Sequence, residues 1–109
     1  MNSHNYRQAA EIFFSDRFCA EMRHLWPQLG DEAPDTVADI QRVRLRWDEE
    51  PLENQWAIYF VPRELVSAED LMIIDDHPVY IRSGDKERLK GKLVDFDVDR
   101  NRLIVCERT

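Results

Sequence analysis

The chain has 109 residues, with 15 Lys and Arg against 22 Asp and Glu, a formal net charge of −7. That length suits one domain over residues 1–109, with residues 1–5 frayed, and a 43 % hydrophobic fraction is enough for a single core. The acidity disfavours nucleic acid as a partner, because neutralising phosphates needs a basic surface, and no apolar run reaches the roughly 18–20 residues of a membrane span. In chain order, Ile12, Phe14, Phe18, Met22, Leu25 and Leu29 recur at mostly three- and four-residue steps. The spacing predicts one long N-terminal helix from Tyr6 to about Leu29, stopped by Pro27 and Gly30. A short helical turn is expected from Asp35. From Gln41 the period becomes two: Val43, Leu45 and Trp47 alternate with Arg42, Arg44 and Arg46, as in a strand with one buried face. Further strands are expected at Gln55–Val61, Leu71–Ile74, Val79–Arg82, Lys92–Val98 and Arg102–Glu107. A helical turn is expected at Gly84–Lys90. The layout is α+β, one helix followed by about six short strands in an antiparallel or mixed sheet.

Nothing at the start of the chain reads as a secretory signal, which leads to the expectation of a reduced, cytoplasmic setting. Cys19 and Cys106 are far apart in sequence and read as packing residues. Catalytic signatures are missing: there is no G-x-S-x-G, no glycine-rich phosphate loop and no cysteine beside a histidine. The expectation is a protein that is not an enzyme and carries no cofactor.

Two acidic groups call for chemistry-based readings. Asp95, Asp97 and Asp99 have calcium-loop spacing, but Arg100 stands where the loop needs glycine and Cys106 where it needs a bidentate glutamate. Strand alternation accounts for them instead, with Val94, Phe96 and Val98 inward and the aspartates facing water or an arginine. Asp75, Asp76 and His77 could contribute to a metal or cluster site completed by a second subunit. Their placement before Pro78 equally describes a hairpin turn.

The Arg42, Arg44 and Arg46 stripe is the most distinctive charge feature. On one strand face it forms a basic ridge suited to an acidic partner; paired with carboxylates such as Glu49, Glu50, Glu53, Asp95 or Asp97 it is a solvated face. Trp26, Trp47 and Trp56 read as core anchors, with Trp47 or Trp56 at the rim of the intervening connection, where aromatic residues often mark interfaces. The candidate partner-binding residues are therefore Arg42, Arg44, Arg46, Trp47 and Trp56.

From Gln41 onward the element order resembles the HesB/IscA-type family, the A-type iron–sulfur carriers. The resemblance rests on the hairpin Leu71–Ile81 and on Leu89, Gly91, Asp95 and Phe96, which match an L-x-G-x-x-x-D-[FY] segment, and it spans residues 41–105. It implies a β-rich scaffold. The family's ligand cysteines have no counterpart here: the connection 48–54 has none, and no Cys-Gly-Cys occurs up to Thr109. The expected function, on that scaffold or another, is a non-catalytic accessory or adaptor domain that binds another protein, with self-association left open. Two alternatives accompany it. One is an acidic inhibitor, of the immunity or anti-defence kind, masking a basic nucleic-acid-handling target. The other is the metal- or cluster-dependent protein using Asp75, Asp76 and His77.

Overall fold

The computed structural model describes residues 6–9, 11–52 and 55–107, with side chains from residue 11 onward. The frayed segment expected at residues 1–5 lies outside them. The chain begins with a hairpin, β1 (Tyr6–Ala9) and β2 (Ile12–Ser15), followed by α1 (Asp16–Leu25). The long helix predicted from Tyr6 is thus corrected to ten residues. Ile12-Phe13-Phe14 is a run of β-branched and aromatic residues that fits a strand, and Ser15 marks the true helix start. The Ser15 hydroxyl accepts the Phe18 amide at 3.0 Å, the N-cap bond that an orphan first-turn donor requires. Asp16 in the first turn and Arg23 and His24 in the last complement the helix dipole.

After α1, 3₁₀ turns run from Trp26 to Asp35, broken at Gly30, whose φ of 61° a glycine adopts freely. Next come β3 (Thr36–Arg42), β4 (Trp56–Pro62), β5 (Leu71–Ile74), β6 (His77–Tyr80), α2 (Ser83–Leu89), β7 (Lys92–Asp97) and β8 (Arg102–Glu107). The last six agree with expectation to within two residues at each end. β3 does not: the sequence puts a strand at Val43–Trp47 and a helical turn at Asp35, whereas the strand is Thr36–Arg42. Thr36 to Ile40 are all buried, so both faces of β3 are covered and the period-two signal vanishes.

The fold is α+β with two four-stranded mixed sheets, in the orders β1-β2-β7-β8 and β4-β3-β6-β5. Each consists of two antiparallel hairpins joined through a parallel central pair, β2 with β7 and β3 with β6. Parallel neighbours need a long connection, and here both central pairs join strands far apart in sequence. β8 lies beside β4, and β5 beside β1, so the sheets meet edge to edge. The core between them contains Ile12, Phe14, Ile40, Val79, Ile81, Leu89 and Val94, and α1 adds Phe18, Cys19 and Met22 at helical spacing. Phe14 and Phe18 rings lie 5.1 Å apart. Each such fully buried side chain contributes roughly 1.5–3 kcal/mol relative to exposure. No helix among the described residues is long and apolar enough to cross a membrane.

Candidate interaction site

The β3–β4 register pairs Arg42 with Trp56, and one further pair follows, the Val43 amide donating to the Gln55 carbonyl at 2.8 Å. Beyond it the chain leaves the sheet as a projecting connection. The Leu52 amide returns to the Val43 carbonyl at 2.7 Å, and the Glu49 amide closes a turn on the Arg46 carbonyl at 3.1 Å. These bonds hold a finger whose tip carries Arg44, Leu45, Arg46 and Trp47. Trp47 is 89 % exposed and Leu45 72 %.

The predicted basic ridge is therefore not a strand face. Arg42 ends β3 with its guanidinium largely buried, 3.5 Å from an Asp85 carboxylate oxygen on α2. Arg88, one helical turn further on, approaches the same oxygen at 3.5 Å. Arg44 donates to the Glu49 carbonyl. Arg46 lies 3.8 Å from Asp48 and 3.7 Å from Glu49. The three arginines belong to two environments and do not act together. Among the described residues, the arginines pair with Asp85 and with the finger's own Asp48 and Glu49, and not across a strand ladder.

The two tryptophans flanking the connection also separate. Trp47 is exposed, whereas Trp56 is 7 % exposed and joins the core. Trp26 packs edge-on against Phe60, with ring centroids 5.6 Å apart.

The acidic runs are used structurally. Asp95 is buried, and it accepts bonds from Ser15, from Arg17 (Nε at 3.1 Å) and from the Phe96 amide at 2.8 Å. Burial alone would push its carboxyl up, but these donors together outweigh that and hold it below the ordinary value. The Arg17 guanidinium is raised in turn by the same partner. Asp97 is bonded by the side chain and amide of Arg100 and is also lowered, chiefly by that side-chain bond. Of the residues expected to point inward, Val94 and Phe96 do, while Val98 is exposed at the turn.

Asp75 and Asp76 have φ of 51° and 67°, the two positive values of a type I′ hairpin turn. Arg23 on α1 engages Asp75. The His77 ring packs on Trp26 with centroids 5.0 Å apart. Among the described residues, no group of three or more His, Cys, Asp and Glu converges in a metal-holding arrangement.

One group escapes sequence reasoning. Asp39, 3 % exposed in the middle of β3, accepts two bonds from Arg82 at 2.9 and 3.2 Å and one from Gln41 at 3.1 Å. Arg82 also lies over the Tyr80 ring, 5.2 Å from its centroid, and its basicity is raised chiefly by the bond to Asp39. A lone Asp inside a strand is the only signal the sequence carries for it, because its partner is 43 positions away.

Two hollows lie along the β4/β8 border and share Trp56. One, of about 450 Å³, is bounded by Arg88, Leu89, Lys92, Val105 and Glu107. The other, of about 280 Å³, is bounded by Leu25, Ile58, Phe60, Phe96 and Leu103, with Arg102 at its rim.

Comparison with protein-family models, with curated proteins and with solved structures finds no match in any of the three.

Proposed function

We propose that this protein is a small, non-catalytic accessory or adaptor domain that recognises another protein through the finger between β3 and β4. The observation that carries the reading is the pairing of Leu45 and Trp47. Single exposed apolar residues are ordinary, but here two large ones stand two positions apart on a projecting tip held by backbone hydrogen bonds. An exposed tryptophan beside an arginine, Trp47 next to Arg46, has the composition of an interface hot spot. The neighbouring acids satisfy Arg46 locally and leave the apolar side chains as the docking element. The two free thiols, with Cys19 buried and Cys106 exposed, support a reducing, cytoplasmic setting within the same proposal.

The likeness to the A-type carriers enters this proposal as scaffold only. The hairpin β5–β6, the helix α2 and the strand β7 follow one another in the order that the family likeness implies. Cys19 is packed in the core and Cys106 lies on β8, so neither stands where that family holds its cluster. Treatment of the purified protein with ferrous iron and sulfide should give no stoichiometric chromophore. A cluster bound one per chain or one per dimer would overturn the non-cluster reading.

The direct test places a photoreactive benzoylphenylalanine at position 47 and, as control, at the exposed apolar Ile73 on β5. Position 47 should yield one discrete adduct in host extract, and Leu45→Ala should remove it. Identical adducts from both positions, or none from position 47, would sink the proposal.

A further inference from the structure

β4 and β8 lie beside each other but form no ladder, so backbone hydrogen bonds do not draw their edges together. The two hollows along this border differ in the charge they can offer. In the larger one the cations are already engaged, Lys92 with Glu107 and Arg88 with Asp85. The smaller one, of about 280 Å³, is lined by a single charged side chain, Arg102. Asp97 stands opposite Arg102 in the β7–β8 register, but Arg100 takes it at 3.1 Å. Arg102 is left with no ion-pair or hydrogen-bond partner among the described residues. The Asn101 carboxamide, also lining the hollow, has none among them either.

The rest of the lining is apolar. Trp56, Phe96 and Leu103 belong to the core, whereas Leu25, Ile58 and Phe60 pack against the core and keep part of their surface in water. An apolar concavity with a few polar groups at its rim is the pattern of a small-molecule site. We infer that this hollow binds a small carboxylic acid carrying an aromatic or branched apolar group. The apolar group covers the wet parts of Leu25, Ile58 and Phe60, and Arg102 meets the carboxylate. A guanidinium holds a carboxylate through two parallel N–H donors, which fixes orientation as well as adding affinity. Size limits the ligand class, because about 280 Å³ is at the lower end of ligand sites and suits one ring with a short arm. Sign limits it further, since among the described residues the only charge lining the hollow is positive.

The site shares no residue with the finger, so it stands or falls apart from the docking reading. The test is a chemical-shift titration of the whole chain with 3-phenylpropionate, its neutral amide and 3-phenylpropylammonium. The acid should shift the amides of 57–60 and 101–103 and the Trp56 indole signal. It should bind about fivefold more tightly than the amide, with the ammonium weakest. Arg102→Gln should erase the difference between acid and amide while the amide binds as before. The fold should tolerate this change, because an exposed side chain without a partner has little to lose. Arg63→Gln, at an exposed arginine outside the hollow, should leave the difference intact. Equal binding of acid and amide, a difference that survives in Arg102→Gln, shifts confined to other amides, or no shifts would overturn the inference. So would occupation of the hollow by a second copy's finger, seen as shifts of the same amides with protein concentration alone that vanish in Trp47→Ala.

Discussion

Two runs of alternating charge, Arg42/Arg44/Arg46 and Asp95/Asp97/Asp99, look alike in the sequence and are divided in the same way by the fold. The first member of each lies in a strand, is largely buried, and is held by a distant element. Arg42 meets Asp85 on α2, and Asp95 meets Ser15 and Arg17 beside α1. Later members lie at or beyond the strand end with partners close in sequence: Arg46 with Asp48 and Glu49, Asp97 with Arg100. A charge at strand spacing therefore has one of two roles. Inside the sheet it joins elements together; past the sheet end it is a solvated pair that leaves its neighbours free for contact.

The sharpest way to break this comparison is to remove the buried members. Asp95→Ala should cost about 2–3 kcal/mol, because Ser15 and the Phe96 amide lose a charged acceptor in a dry setting. Chemical denaturation measures it directly, and a loss under 0.5 kcal/mol would show that Asp95 does not join β7 to α1. Arg42→Ala should come next, at about 1–2 kcal/mol, since Asp85 keeps Arg88 as a neighbour.

This division also explains what could be read from the residues. The hairpins β5–β6 and β7–β8 were legible because turn chemistry, at Asp75-Asp76 and at Asp99-Arg100-Asn101, is local and flanked by β-branched runs. The helix was half legible. Ile12 and Phe14 continue the three- and four-residue spacing of Phe18 and Met22, so periodicity carried the helix past Ser15, whose capping role sets the boundary. β3 was missed for the opposite reason: burial on both faces erased its alternation, while the finger after it kept an alternating pattern it does not use. The hollows at the β4/β8 border and the Asp39–Arg82 group were illegible because both join residues far apart in the chain.

Acid should sharpen the comparison further. The Asp95 carboxyl is held below the ordinary aspartate value of 3.8, so its folded state binds fewer protons than the unfolded state there. Its contribution is present above that value and is lost as pH falls through the lower, folded one. The stability gap between the native protein and Asp95→Asn should therefore hold from pH 7 to about 5 and narrow steadily below 4. A gap that widens on acidification would reverse the assignment.

The smallest effect is expected at the finger, and it is the most telling. Arg46→Gln should change stability by less than about 0.5 kcal/mol, since exposed pairs give little. Trp47→Ala should fall in the same range, because an 89 % exposed ring has almost no packing to lose. Both variants should nevertheless differ in partner binding, with Trp47→Ala losing it and Arg46→Gln retaining most of it. That split follows from the fold: the ion pairs of the finger hold its shape weakly and redundantly, alongside backbone bonds from Val43, Glu49 and Leu52, whereas no second side chain on the tip can replace an indole. If Arg46→Gln instead abolished binding while Trp47→Ala left it intact, charge and not apolar contact would be the currency of recognition. The later members of the arginine run would then act on the partner directly.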